Sequence, residues 1–131
     1  MPLEAITSTK APIGPGPYSP AIRVGDLLFI SAQSPIDAQT HELQGLEIEE
    51  QTRSALDNVG ALLEAGGASF STVVKINAYL ADPADYDRFN EVYASYVDFE
   101  PQPARTTVSV SHIWDARQRV KIECIAYVGS D

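Results

Sequence analysis

An arginine at the start of a predicted strand is the residue of this sequence that is best placed to bind an anion. Arg105 stands in PARTTVSV, residues 103–110, where small and β-branched residues are typical of a strand. Removing a guanidinium from water costs free energy, so the presence of an arginine at the start of a strand calls for an explanation. Two explanations are open: a surface arginine at the end of a loop, or a binding site for a small anion.

Other residues that commonly carry chemistry are few and scattered. His41 and His112 do not stand in the spacing of metal ligands, and no glycine-rich phosphate-binding motif occurs. The single cysteine, Cys124, lies in the apolar stretch IECIAYV and is expected to be a buried hydrophobic residue rather than a nucleophile. The sequence therefore predicts no metal centre and no cysteine chemistry.

Size and charge limit the classes of function. The chain has 131 residues, 44% hydrophobic and 21% charged, which suits a single domain over residues 1–131. Its 18 acidic and 9 basic residues give a formal net charge of −9, which argues against a broad nucleic-acid surface. No secretory signal or membrane-spanning run is recognisable, so we expect a protein of the cytoplasm or of an organelle matrix.

Hydrophobic periodicity predicts the elements that position Arg105. Residues 11–21 are rich in proline and glycine and are expected to form a loop. A β-hairpin follows, with its turn at Gly25 and Asp26. The clearest element is an amphipathic helix over residues 47–66, with acidic residues in its first turn and two glycines closing its end.

The second half of the chain predicts a strand, a second helix and two further strands. The second helix begins after Asp82, a natural N-cap, and carries Asn90 beside its apolar face. Alternation in the three strands predicts the side chains that each buries. These are Val74, Ile76, Ala78 and Leu80 in the first, Val108 and Val110 in the second, and Val120, Ile122, Cys124 and Ala126 in the third.

The element order β-β-α-β-α-β-β predicts an α+β domain with two helices packed on one face of a mixed sheet. The other face of the sheet is then left without a helix. A short chain with a partly apolar open sheet face often buries that face against copies of itself.

Several motifs, in order along nearly the whole chain, resemble those of the RidA (YjgF) family of reactive-intermediate deaminases. They are GPYSPA, ISAQSP, LLEAGGASFSTVVKINAYLAD, FNEVYASYV, PARTTV and KIECIA. The resemblance implies a chorismate-mutase-like fold, a homotrimer with sites in clefts between subunits, and no metal or organic cofactor. It also implies hydrolysis of 2-imino and enamine acids, such as 2-iminopropanoate and 2-iminobutanoate, to 2-oxo acids and ammonia.

The same resemblance implies roles for residues on the second half of the chain. Arg105 matches the arginine that holds the substrate carboxylate, which suits the two parallel donors of a guanidinium. Thr107 stands where many members have cysteine, and its backbone N–H is a second candidate donor to that carboxylate. Asn90 matches a family asparagine that either orients a neighbour or caps local backbone.

Two residues of the first half are implied in the site. Tyr18 matches the tyrosine that lines the pocket; the alternative is a tyrosine that packs its loop onto the sheet. Ser31 matches a serine that contacts water or substrate, and it is not expected to be a nucleophile because no histidine base accompanies it.

The chain departs from the family pattern at the residue that positions the attacking water. Lys121 occupies the place of a catalytic glutamate, and Ala32 replaces a glycine. Glu123, two residues along the same strand, takes over if the local register shifts; alternatively, Lys121 loses its charge beside Arg105 and acts as a base or attacks the imine carbon. The preceding loop, SHIWDARQRV, also differs from the usual short turn.

Three interpretations remain open. The first is an imine or enamine deaminase that depends on Arg105, Tyr18, Ser31 and Asn90. The second is a trimer that binds a 2-oxo acid or another small carboxylate without turnover, or that deaminates a different substrate, which the lysine at position 121 favours. The third is a ribonuclease, for which the net charge of −9 and the lack of a histidine pair give little support.

Overall fold

A computed structural model describes residues 2–129 of the chain. Its strands are β1 (Glu4–Ile6), β2 (Ala21–Val24), β3 (Leu27–Gln33), β4 (Val73–Leu80), β5 (Ala104–Ser109) and β6 (Val120–Tyr127). Its helices are α1 (Ile48–Ala65) and α2 (Tyr86–Tyr96), each near a short 3₁₀ turn, Phe70–Thr72 and Pro83–Asp85. The predicted element order is confirmed, with the addition of β1, which the sequence analysis missed.

One six-stranded sheet has the order β1-β2-β3-β6-β4-β5. Its neighbouring strands are antiparallel except for β4 and β5, which are parallel and joined through α2. The sheet is therefore mixed, as predicted, and both helices pack on one of its faces. Within the described residues β5 is an edge strand, so Arg105 lies at a border of the sheet.

Local signals explain the bounds of α1. The backbone N–H of Glu47 donates to the Glu50 carboxylate at 3.2 Å, which satisfies one free donor at the start of the helix. At the other end Gly67 has a φ of +87°, a left-handed conformation that glycine adopts at little cost. The predicted range of residues 47–66 thus differs from the observed helix by one residue at each end.

A partly buried ion pair joins the start of α2 to the segment before β6. Asp85 accepts hydrogen bonds from Arg119, with Nε–Oδ2 and Nη2–Oδ1 distances of 3.0 and 2.9 Å. The buried side chain of Gln51 completes the junction, since its Oε1 accepts from the backbone N–H of Arg119 at 2.6 Å and its Nε2 donates to the carbonyl of Arg117 at 2.8 Å. Asp82, predicted to cap the second helix, instead caps the 3₁₀ turn Pro83–Asp85 by accepting from Ala84 N at 2.9 Å, and α2 begins only at Tyr86.

The predicted face of β5 was wrong, and that of β4 was right for Ile76, Ala78 and Leu80 but wrong for Val74. In β4 a register irregularity between Val73 and Lys75 turns Val73 inward and leaves Val74 47% exposed. In β5 it is Arg105 and Thr107 that face the helices, whereas Val108 is 44% exposed. Val110, expected inside, lies beyond the end of β5 and is half-buried.

The face of the sheet opposite the helices is partly apolar. Leu27, Phe29, Val74 and Val108 are exposed there, and Ile125 is half-buried. The inward residues of β6, namely Val120, Ile122, Cys124 and Ala126, are buried as predicted. No helix within residues 2–129 is both long enough and apolar enough to cross a membrane.

Candidate active site

Arg105 is held in place by the first turns of α2. Its Nη1 donates to Asn90 Oδ1 at 2.8 Å, and its Nη2 donates to the Tyr86 hydroxyl at 3.1 Å. Of the two alternatives for Asn90, the structure therefore favours the residue that orients a neighbour. Arg105 points towards α2 rather than into a loop because it shares the helix-facing side of β5 with Thr107.

Three aromatic rings of α2 surround the same guanidinium. The Arg105 Cζ atom lies 4.8 Å from the ring centroid of Tyr93 and 5.8 Å from those of Tyr86 and Phe89. The negative faces of aromatic rings attract a cation, so this cage offsets part of the cost of desolvating the arginine. Burial raises the pKa of Tyr93, although the nearby Arg105 opposes that rise.

The guanidinium keeps donors for a ligand. It has five N–H groups, and the bonds to Asn90 and Tyr86 use two of them. The Tyr93 hydroxyl, whose pKa rise Arg105 also opposes through a side-chain hydrogen bond, lies beside the remaining N–H groups. Two N–H groups are then left, which is the number that a carboxylate can accept from in parallel. Arg105 is thus held in one orientation and does not use all of its N–H groups in the bonds to Asn90 and Tyr86.

Thr107 and Cys124 are two further residues of the sheet whose polar atoms are buried. The Thr107 Oγ1 atom is buried and has no hydrogen-bond partner within residues 2–129, so this part of the strand holds an unsatisfied polar atom. Cys124 is buried, and burial raises the pKa of its thiol to about 12. The expectation that Cys124 is a buried hydrophobic residue is confirmed.

Tyr18 and Ser31 lie in another part of the chain. The Tyr18 hydroxyl accepts from Gly14 N at 2.7 Å, and the Ser31 hydroxyl donates to the Ser19 carbonyl at 2.7 Å. Strand β3, which carries Ser31, is three strand spacings from β5, roughly 14 Å. Within one chain the structure does not bring these two residues to Arg105.

Lys121 and Glu123 form a third group, on the open face of the sheet. Glu123 Oε1 accepts a hydrogen bond from the Tyr79 hydroxyl and another from Asn77 Nδ2 at 3.3 Å. The bond to Glu123 raises the pKa of Tyr79. Arg105 lies on the helix side of the sheet, so the expected closeness of Lys121 to Arg105 is not found within one chain.

Comparison with known proteins decides the family. The sequence model of the endoribonuclease L-PSP family matches residues 8–128. The chain belongs to this family, the RidA (YjgF) family. A RutC family protein of Pyrococcus horikoshii is 45% identical over 124 residues, covering 95% of this chain and 97% of that protein.

Further relatives agree with this RidA-family assignment. A 2-iminobutanoate/2-iminopropanoate deaminase of Mus musculus is 37% identical over 126 residues, covering 96% of this chain and 92% of the mouse protein. The crystal structure of RidA from the Antarctic bacterium Psychrobacter sp. matches with a TM-score of 0.89 at 37% identity, covering 95% of this chain and 99% of that one. The expected chorismate-mutase-like α+β fold is confirmed.

Tyr86 is a hydrogen-bond partner of Arg105 that the sequence analysis did not single out. The signal was present, because residues four apart on a helix lie on the same face, and Tyr86 precedes Asn90 by four. Placing Asn90 beside Arg105 would therefore have placed Tyr86 there too.

Two grooves lie elsewhere on this RidA-family chain. The larger, about 560 Å³, runs between residues 36–45 and α1, and the smaller, about 280 Å³, lies beside Asp85 and Arg119. Neither is lined by Arg105. The chemistry of the Arg105 cluster, rather than the volume of a groove, therefore selects the candidate site.

Proposed function

We propose that this chain hydrolyses 2-imino and enamine acids to 2-oxo acids and ammonia. In the hydrolysis step one water adds to the protonated imine carbon, and the carbon–nitrogen bond then breaks. The water oxygen becomes the oxo group, and both water hydrogens leave on nitrogen as ammonium. The name of the mouse relative supports this substrate class.

The observation that carries the proposal is the state of Arg105. Its guanidinium is fixed by Asn90 and Tyr86 and retains N–H donors that these two bonds do not use. A carboxylate bound there has its plane set by the fork, which also orients the neighbouring imine carbon. Imine hydrolysis gains much from such positioning because a protonated imine is already electrophilic.

We further propose that the site is shared between copies of the chain in a homotrimer. Ser31 lies on β3, roughly 14 Å from β5 within one chain, and Tyr18 lies in the loop before β2. These two residues act with Arg105 only if a second copy supplies one of the two groups. The same holds for Lys121 and Glu123, which face away from Arg105. The apolar residues of the open sheet face supply a surface for such association.

A second candidate function is binding of a 2-oxo acid or another small carboxylate without turnover, or deamination of a different substrate. Lys121 favours it, since a cation replaces the residue that would position water. Glu123 is also engaged within the chain, because its carboxylate accepts hydrogen bonds from both Tyr79 and Asn77. The Arg105 cluster would bind a carboxylate equally well in either case.

A competition assay tests the two functions. An amino-acid oxidase generates 2-iminopropanoate and 2-iminobutanoate in place, semicarbazide traps them, and the suppression of semicarbazone formation reports hydrolysis. Arg105→Ala is expected to reduce hydrolysis roughly a hundredfold because two charged hydrogen bonds are lost. Arg53→Ala, which removes an exposed arginine of α1, is the matched control and should behave as wild type.

Lys121→Glu separates the candidates. An active wild type that needs Arg105 supports the deaminase. If wild type is inert and the Lys121→Glu variant is active, the pocket can support imine hydrolysis. The natural chain would then bind a small carboxylate without turnover or act on a different substrate.

A further inference from the structure

Tyr86 touches Arg105 in two ways. Its hydroxyl accepts from Arg105 Nη2 at 3.1 Å, and its ring centroid lies 5.8 Å from the Arg105 Cζ atom. Tyr86 is the first residue of α2 and is 43% exposed, whereas Tyr93, whose ring is closer to the guanidinium, is buried. A ligand arriving at Arg105 from solvent can therefore reach Tyr86 but not the body of Tyr93.

The hydroxyl of Tyr86 still has a proton to donate. Its oxygen accepts from the cation, so its own hydrogen must point elsewhere, and no acceptor among residues 2–129 takes it. A hydroxyl that accepts from a charged donor is polarised and becomes a stronger donor itself. Tyr86 thus presents one strengthened O–H next to the free N–H groups of Arg105.

We propose that Tyr86 is a carboxylate-positioning residue of this site. Its O–H donates to one carboxylate oxygen of a 2-imino or 2-oxo acid, while the remaining N–H groups of Arg105 donate to the other. This inference rests on the proposed function for the identity of the ligand, but it requires only binding and not turnover.

The pairing of Tyr86 with Arg105 affects which ligands the site can select. Three donors in one cluster, the Tyr86 hydroxyl and two N–H groups of Arg105, suit an anion with two acceptor oxygens. An ester or amide of the same acid lacks the charge, and an amide would also turn an NH₂ group towards these donors. The site is therefore expected to select free α-carboxylates over their neutral derivatives.

Tyr86→Phe isolates the hydroxyl because it keeps the ring against the guanidinium. The probes are pyruvate and 2-oxobutanoate, titrated by calorimetry into wild type and variant at one protein concentration. We expect Kd to rise about tenfold, the typical effect of one hydrogen bond to a charged group. Tyr96→Phe is the matched control, since that hydroxyl bonds to Asp57 at 2.7 Å at the other end of α2, and it should leave Kd unchanged.

Kinetics add a readout that a structural role would not give. In the imine assay Tyr86→Phe should raise KM about tenfold with kcat unchanged, because the carboxylate does not react. Thermal unfolding of the variant should match wild type. Tyr86→Leu removes the ring as well and should weaken binding further.

The outcomes distinguish this inference from the proposed function. Weaker 2-oxo acid binding by Tyr86→Phe supports the inference even if wild type hydrolyses no imine. Unchanged binding by Tyr86→Phe overturns it even if wild type is an active deaminase, and a loss confined to Tyr86→Leu shows that only the ring matters and overturns it too. Failure of wild type to bind either 2-oxo acid would also overturn it.

Discussion

Removing either member of the Asp85–Arg119 pair should destabilise the fold by unequal amounts. The Asp85 side chain is 3% exposed and that of Arg119 is 35% exposed. Arg119→Met leaves a buried carboxylate with neither its cation nor its two hydrogen bonds. Asp85→Asn leaves an arginine that reaches water and keeps one amide oxygen as an acceptor.

The burial of each remaining group sets the expected magnitudes. Stranding a buried charge typically costs about 3–5 kcal/mol of the free energy of unfolding, and Arg119→Met should fall in that range. Asp85→Asn should cost about 1–2 kcal/mol, the net value of a hydrogen bond to a charged group whose donor stays partly solvated. The double variant should cost less than the sum, because no charge is then left in the interior.

Urea unfolding at pH 7 and at one fixed protein concentration measures these differences, since an oligomer's stability depends on concentration. Arg53→Ala, which removes an exposed arginine of α1, is the control. The reasoning fails if Asp85→Asn costs as much as Arg119→Met, because the asymmetry in burial would then have no energetic effect.

Three further predictions concern single groups. The buried Thr52 hydroxyl has no partner within residues 2–129, so Thr52→Val should leave the free energy of unfolding unchanged or raise it by about 1 kcal/mol in urea titrations, whereas a loss above that amount would reveal a hidden hydrogen bond. Burial raises the pKa of Cys124 to about 12, so a disulfide reagent at pH 8 should label it only after denaturation; fast labelling of the native protein would contradict its burial. Arg88 bonds to Glu49 at 2.7 Å and lowers its pKa, so this pair stabilises the fold above about pH 4.3, the ordinary pKa of glutamate, and loses its effect as pH falls through the lowered pKa. The stability difference between wild type and Arg88→Ala should therefore shrink between pH 6 and pH 3, and a difference that grows would refute the sign.

Local signals in the sequence were enough for the helices and for most strands. The range of α1 followed from its caps and periodicity, and the burial of β6 followed from strict alternation. Helix caps and strand alternation both depend on residues that are only a few positions apart in the sequence. The start of β4 and the face of β5 were predicted wrongly, because a bulge and the choice of face at a sheet edge depend on the strands and helix that lie alongside.

Some residues of the candidate site could likewise be predicted from local sequence, whereas others could not. Arg105 was recognisable by its residue type and by its motif, and Asn90 by its motif. Tyr86 follows from helical spacing only after Asn90 has been placed. The Asp85–Arg119 pair joins residues 34 apart in the chain, and nothing in either local pattern predicts the partner of the other.

The anion-binding cluster is built from one contiguous stretch, because β4, α2 and β5 form a single crossover that brings Tyr86, Asn90 and Arg105 together. Ser31 lies on β3, three strands away from β5, and Tyr18 lies in the loop before β2. In the proposed trimer a ligand that touches both groups joins two copies of the chain. Ligand affinity and subunit association would then be linked equilibria, so each ligand bound would stabilise the assembly by the same free energy that assembly adds to its binding.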